Sequence, residues 1–275
     1  MKGREESVAA IICAAGSSNR MGGAKKEYLP FPENDIPSKK SPAKKQLSVL
    51  GAAVKAFASC PGIYPIVIVL PEREKRADRA RFSGVILEEL RLIDPYCNPA
   101  SSGSEEQGRI LFVSGGPTRR ASVHNALSFL AQYSPSYVLI HDGARPWIKK
   151  PLIQKIINAA KQYGAVIPAL PLTETPKELS GPLVSGGRPL LDGPGNYIKR
   201  HLKRAELCTA QTPQGFKFSG ILAAHEKAAR KEKREPAFEY TDDAEVWAEF
   251  IGKVAVISGD AANRKITYPE DLRLR

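Results

Sequence analysis

Along most of this chain short apolar runs alternate with stretches of helical period, and that alternation constrains the fold more than any other feature. The first run, Val8, Ala9, Ala10, Ile11, Ile12 and Ala14, has the near-continuous apolar character of a strand covered on both faces. Leu47, Leu50, Val54 and Phe57 then recur at steps of three and four residues, the spacing of an amphipathic helix. Residues 66–70 and 110–113 predict further strands, and Val123, Ala126, Leu127 and Leu130 mark one face of a second helix. A strand at 137–140, a helix carrying Leu152, Ile153, Ile156 and Ile157, and a strand at 165–169 continue the series. Residues 222–229 and 243–251 read as helices and 254–257 as a last strand. Parallel strands need a crossover, usually a helix. The expectation is an α/β fold, Rossmann-like, with a mainly parallel sheet flanked by helices.

Residues 171–214 interrupt the series, being rich in Pro, Gly, Lys and Arg and poor in helical period. Too long for a simple connection, this stretch predicts a protruding β-arm with short strands of its own, at about residues 171–210. No internal repeat is visible, and one domain over residues 1–275 is expected.

Ligands of open α/β sheets collect outside the carboxyl ends of the strands. Three polar clusters fall there. After the first strand, Gly16, Ser17 and Ser18 offer small side chains that let backbone amides approach an anion, and Arg20, Gly22, Gly23, Lys25 and Lys26 follow. A forked guanidinium and a compact ammonium together suit a polyphosphate. The spacing is neither a Walker A loop nor a Gly-x-Gly-x-x-Gly fingerprint, so on this loop alone an ordinary glycine turn with solvated charges stays open. Residues 115–122 and 141–145 are the second and third clusters, and all three are placed to share one crevice.

The 41 Lys and Arg against 29 Asp and Glu leave a net charge of +12, which favours an anionic partner. The cations are not gathered in a nucleic-acid-reading motif, and no aromatic stacking strand accompanies them, so nucleic acid is not the expected partner. Lys39, Lys40, Lys44 and Lys45 lie in a Pro- and Ser-containing loop, and 227–234 reads as a solvated helix end. Cys13, Cys60, Cys97 and Cys208 lack metal-ligand spacing and are expected to be reduced thiols. His124, His141, His201 and His225 form no cluster by spacing, and each reads as structural or exposed. No signal peptide and no membrane span is evident, so the expectation is a soluble, cytoplasmic protein with no membrane partner.

Taken in order, these residues resemble the cytidylyltransferases of the non-mevalonate isoprenoid pathway. Ala14, Ala15, Gly16 through Arg20 and Met21 are similar to that family's signature loop, and Lys26, Tyr28 and Leu29 to its lysine segment. Gly115, Gly116, Arg119, Ser122 and Val123 resemble a second motif, and His141, Asp142, Gly143, Ala144, Arg145 and Pro146 a third. Thr175 and Lys177, then Thr212, Pro213 and Gln214, then Thr241, Asp242, Asp243 and Ala244 follow in the family's order, and NRKITYPEDL closes the set. The resemblance implies transfer of a cytidylyl group from CTP to 2-C-methyl-D-erythritol 4-phosphate, with ribitol 5-phosphate as the alternative acceptor. A non-catalytic basic nucleic-acid-binding module is the alternative from another class.

By the same resemblance Arg20 and Lys26 match the pair that stabilises the transition state, and Arg204 and Lys265 the pair that positions the acceptor phosphate. Ala14, Ala15, Gly16, Gly116, Ser122, Asp142 and Gly143 match nucleotide contacts, and Thr175 and Thr212 acceptor contacts. Magnesium is the implied metal, with Asp142 the candidate ligand. The arm carrying Arg204 crosses between subunits in the family, which implies a homodimer. Where the family has Pro-Lys-Gln this chain has Lys25, Lys26 and Glu27, so either lysine is a candidate for the phosphates. Residues 32–45 and 94–107 are longer than the family's turns.

Overall fold

The computed structural model describes residues 6–16, 25–31, 47–71, 88–94, 108–181, 184–185, 188–189, 197–235 and 238–273. Arg20, Cys97 and nearly all of both long insertions lie outside them. The strands are β1 (Val8–Cys13), β2 (Ile63–Leu70), β3 (Ile110–Ser114), β4 (Tyr137–Asp142), β5 (Ala165–Pro171), β6 (Lys177–Leu179), β7 (Val184–Ser185), β8 (Arg188–Pro189), β9 (Ile198–His201), β10 (Cys208–Ala210), β11 (Gln214–Lys217) and β12 (Ala255–Ser258). The helices are α1 (Val49–Ala58), α2 (Arg119–Leu130), α3 (Lys150–Tyr163), α4 (Phe218–Arg234) and α5 (Asp243–Phe250).

Eight strands form one mixed sheet in the order β10-β5-β11-β4-β1-β2-β3, with β12 on the other side of β5. The pairs β3-β2-β1-β4 and β5-β12 are parallel, as the alternation predicted. Within β1 the period of two sends Ala10 and Ile12 to one face and Ala9 and Ile11 to the other, so the strand is apolar throughout because it is buried twice. On the first face α1 and α3 supply Leu50, Val54, Phe57, Ile153 and Ile156; on the second α2, α4 and α5 supply Val123, Leu127, Ile221 and Trp247.

Side-chain caps set where the helices begin. Thr118 accepts the Ala121 amide at the start of α2, and Asp242 accepts the Glu245 amide at the start of α5. Ser48 caps α1 by accepting the Gly51 amide, while its own amide and hydroxyl donate to the buried Glu89 carboxylate. Helix α3 starts with Pro151 in its first turn and stops at Gly164, whose φ of 80° lies in the region that favours glycine.

Two expectations need correction. The interruption is an arm only in part: β6 pairs with β9 and β7 with β8, but β10 then rejoins the main sheet against β5. Strand β11 follows at once and inserts antiparallel between β4 and β5, so the sheet is mixed at this end. Helix α4 also starts four residues before the apolar spacing indicated, and its charged end is not wholly solvated, because Glu232 turns inward to pair with the buried Arg120.

Candidate functional site

The carboxyl ends of β1, β3 and β4 meet at one crevice. Residue Cys13 of β1 pairs with Asp142 of β4, and the Gly143 amide donates to the Cys13 carbonyl at 2.9 Å. The Ala14 amide donates to Val69 at 3.0 Å, and the Gly115 amide to Leu70 at 2.6 Å. A Cβ at Gly115 would lie 2.6 Å from the Ala15 methyl and 3.1 Å from the Leu70 carbonyl, so the two loops touch and only glycine fits between them. The Ser122 hydroxyl accepts the Gly116 amide at 3.0 Å and holds that loop to the first turn of α2. On the other side the Lys25 ammonium donates to the Gly16 carbonyl, and the Tyr28 hydroxyl lies 3.4 Å from the Ala14 carbonyl. The sequence-predicted nucleotide residues Ala14, Ala15, Gly16, Gly116, Ser122, Asp142 and Gly143 are thereby brought together.

Asp142 is the electrostatic centre of the crevice. Its Oδ2 receives Lys265 Nζ at 2.9 Å and Arg145 Nε at 3.4 Å, while Arg119 Nε stands 3.9 Å from Oδ1. Burial alone raises a carboxyl pKa, but Lys265, Arg119 and Arg145 reverse this and hold Asp142 well below the usual carboxylate range. Asp142 is therefore an anion in the folded protein. Burial pushes the neighbouring Cys13 thiol up to about 12, which makes it a packing group and not a nucleophile.

Beneath Asp142 a chain of buried hydrogen bonds runs through Thr212, His141, Arg145 and Asn263. Its amide donates to Thr212 Oγ1 at 3.0 Å, and that hydroxyl is 3.0 Å from His141 Nδ1. His141 Nε2 faces the Arg145 carbonyl at 3.2 Å, an acceptor only, so Nε2 carries the proton and Nδ1 accepts from Thr212. Burial lowers the His141 pKa to about 4, which keeps the ring neutral. Asn263 closes the base by donating to the Thr212 carbonyl at 2.7 Å, and Arg145 Nη1 donates to the Asn263 carbonyl at 2.8 Å. These bonds set the carboxylate's height and direction.

The remaining predicted residues divide by place. Lys26 opens a 3-10 turn, Lys26–Tyr28, beside the first loop, and Lys265 reaches Asp142. Thr175 and Arg204 sit exposed on the arm, where Arg204 Nη1 donates to the Thr173 carbonyl at 2.7 Å; among the described residues neither bonds to the crevice. Arg20 is outside the described residues. Among the described residues no three His, Cys, Asp or Glu side chains converge as a metal cage.

Spacing missed several residues that the fold brings to work together. Arg119 and Arg145 stand in the motifs but carried no assigned role, and Asn263 is two residues from Lys265. The histidines are also less scattered than their spacing indicated: the rings of His124 and His225 stack with centroids 6.3 Å apart, and His225 contacts Asp243.

The family model described as IspD, 2-C-methyl-D-erythritol 4-phosphate cytidylyltransferase, matches residues 8–275. Among curated proteins the chain is 36% identical over 266 residues to the bifunctional enzyme IspD/IspF of Nitrobacter hamburgensis, covering 96% of this chain and 53% of that one. The chain thus spans about half the length of the curated relatives it matches first. Among solved structures, the 4-diphosphocytidyl-2C-methyl-D-erythritol synthase of Anaerococcus prevotii superposes with a TM-score of 0.67 at 26% identity, covering 98% of this chain and 93% of that one. The 2-C-methyl-D-erythritol 4-phosphate cytidylyltransferase of Thermus thermophilus gives a TM-score of 0.61 at 26% identity, with 98% and 96% covered.

Proposed function

This chain belongs to the 2-C-methyl-D-erythritol 4-phosphate cytidylyltransferase family, and from that premise we propose that it transfers a cytidylyl group from CTP to 2-C-methyl-D-erythritol 4-phosphate in isoprenoid precursor synthesis. A phosphate oxygen of the acceptor attacks the α-phosphorus of CTP, and the bond to the β-phosphate oxygen breaks. Pyrophosphate leaves with the electron pair, and 4-diphosphocytidyl-2-C-methyl-D-erythritol forms. The nucleophile is already an anion, so the reaction asks for alignment and charge stabilisation more than for a general base. The single observation that carries this reading is the convergence of the two glycine loops with an ionised Asp142 ringed by Lys265, Arg145 and Arg119.

In this scheme the loop of Ala14, Ala15 and Gly16, with Gly116 and Ser122, receives the nucleotide, and Asp142 and Gly143 lie near the ribose. Arg20 and Lys26 stabilise the charge that develops on the α-phosphate. Lys26 is assigned that role because it matches the family's lysine segment, while Lys25 donates to the Gly16 carbonyl beside it. Lys265 positions the acceptor phosphate from one side. Thr212 acts on the acceptor side through Asp142, since its hydroxyl is bonded to the Asp142 amide and to His141.

Magnesium would neutralise triphosphate charge when bound. Asp142 would be the protein group to hold it, since its carboxylate is ionised in the fold and offers the hard oxygen donor that magnesium takes.

Arg204 and Thr175 complete the acceptor site from the arm of a second copy, so the working unit is a homodimer. The arm leaves Tyr197 73% and Ile198 51% exposed in the single chain, apolar surface suited to a partner. No helix among the described residues is long and apolar enough to cross a membrane, and a cytoplasmic setting suits the free Cys13, Cys60 and Cys208.

The test is pyrophosphate release from CTP with magnesium, comparing 2-C-methyl-D-erythritol 4-phosphate with ribitol 5-phosphate. Release with the first acceptor is expected. No release by folded protein overturns the reading, and a clear preference for ribitol 5-phosphate reassigns the acceptor.

A further inference from the structure

Behind the crevice lies a buried charged cluster that the reaction above does not use. Asp243, the first residue of α5, is 1% exposed at its side chain, although Asp242 already caps that helix. Its Oδ2 accepts Arg119 Nη2 at 2.8 Å, and its Oδ1 faces His225 Nε2 of α4 at 3.2 Å. Neither Asp243 Oδ1 nor either His225 nitrogen makes a hydrogen bond among the described residues. The stacked ring of His124 and the Arg120–Glu232 pair, 2.7 Å apart, fill the space beside them between α2 and α4.

A buried carboxylate is costly unless paired, and an apolar residue would serve packing alone as well or better. The partner of Asp243 identifies what the group is for. Arg119 is the first residue of α2, directly after the Gly115–Gly116 turn and its Thr118 cap, and its side chain keeps 27% exposure toward the crevice. An unpinned arginine there would sample many rotamers. Held at Nη2 from behind, it presents Nε toward Asp142 at 3.9 Å with its orientation already fixed. Burial raises the Asp243 pKa, but Arg119 and His225 outweigh it and hold the group below the usual carboxylate range.

We propose that Asp243 is a positioning residue that acts on the nucleotide side of the site through Arg119, with His225 packed behind it to fix the carboxylate's orientation. Arg119 in turn is the cation that the Gly116 side of the crevice offers to the nucleotide. The proposal rests on the CTP-dependent reading above and adds Arg119, Asp243 and His225 to its working parts.

A coupling experiment tests it, with CTP affinity by calorimetry and kcat and KM for each substrate as readouts. Arg119→Met and Asp243→Asn are each expected to weaken kcat/KM for CTP by about a hundredfold. The KM for the acceptor should stay near wild type. The paired variant Arg119→Met with Asp243→Leu replaces the ion pair by apolar groups and is expected to fold. It should fall within about twofold of Arg119→Met alone, because residues acting as one unit are not additive. If Asp243→Asn proves unfolded, the paired variant carries the test.

Additive losses in the pair, wild-type CTP affinity in Asp243→Asn, or an equal rise in both KM values overturns the positioning role while leaving the functional reading intact. Failure of the wild-type chain to bind CTP overturns both.

Discussion

At the scale of single residues, two side chains in the crevice decide what the others can do. Lys26→Ala is expected to lower kcat by about a hundredfold, as loss of one preorganised donor does, with little change in either KM. Lys25→Ala should cost less, since its ammonium bonds the Gly16 carbonyl; steady-state kinetics on both variants rank them. His141 sets the protein's response to acid. Its pKa is 6.5 in an unfolded chain and about 4 in the fold, so between those values the unfolded chain binds the extra proton. Stability present above pH 6.5 should therefore drain away as pH falls toward about 4. Urea titrations across this window should show that slope, and His141→Asn should flatten it. Asp142, Gly116, Ser122 and Lys265 were legible because each sits inside a short motif whose neighbours fix its surroundings. Asp243 also stands in a motif, but its meeting with His225 was not legible, because it depends on how two helices pack and no spacing along the chain encodes it.

At the scale of elements, the start of α1 shows how a distant segment can hold a helix. Ser48→Ala removes the acceptor for Gly51 and also a donor to the buried Glu89 carboxylate. The cap alone contributes about 1 kcal/mol, and the carboxylate left short of a partner adds about 1–3 kcal/mol. Equilibrium denaturation should show a loss at or above the upper end for a simple cap, and Ser48→Ala with Glu89→Gln should recover part of it. The parallel strands were readable as apolar runs because burial on two faces leaves few other choices of residue. Strand β11 was hidden for the opposite reason: its four residues sit beside a Pro- and Gly-rich arm and borrow their place from β4 and β5. Helix α4 was legible in its apolar stripe and its charged end, while the inward turn of Glu232 to Arg120 follows only from packing.

At the scale of the whole molecule, the proposed homodimer would put catalysis and assembly on one stretch of backbone. If the acceptor site is completed across two copies, Arg204→Ala and Lys265→Ala chains should each be inactive alone and partly active when mixed. Recovery of about a quarter of wild-type turnover is expected for random pairing, because half the dimers are mixed and each holds one intact site. No recovery in verified mixed dimers counts against a shared site. The parallel part of the main sheet could be drawn from sequence, but the arm's return into it could not, because β10 has neither length nor period to announce itself. That return has a mechanical meaning. Only Gln211, Thr212 and Pro213 separate β10 from β11, and within them Gln211 bonds Asp260 and Asn263 while Thr212 supports the Asp142 amide. The arm is thus a lever whose fulcrum is the floor of the crevice. In the proposed homodimer a partner that grips the arm would steady the seat of Asp142 in the same stroke, and turnover per chain should then fall on dilution before any loss of folded structure is seen.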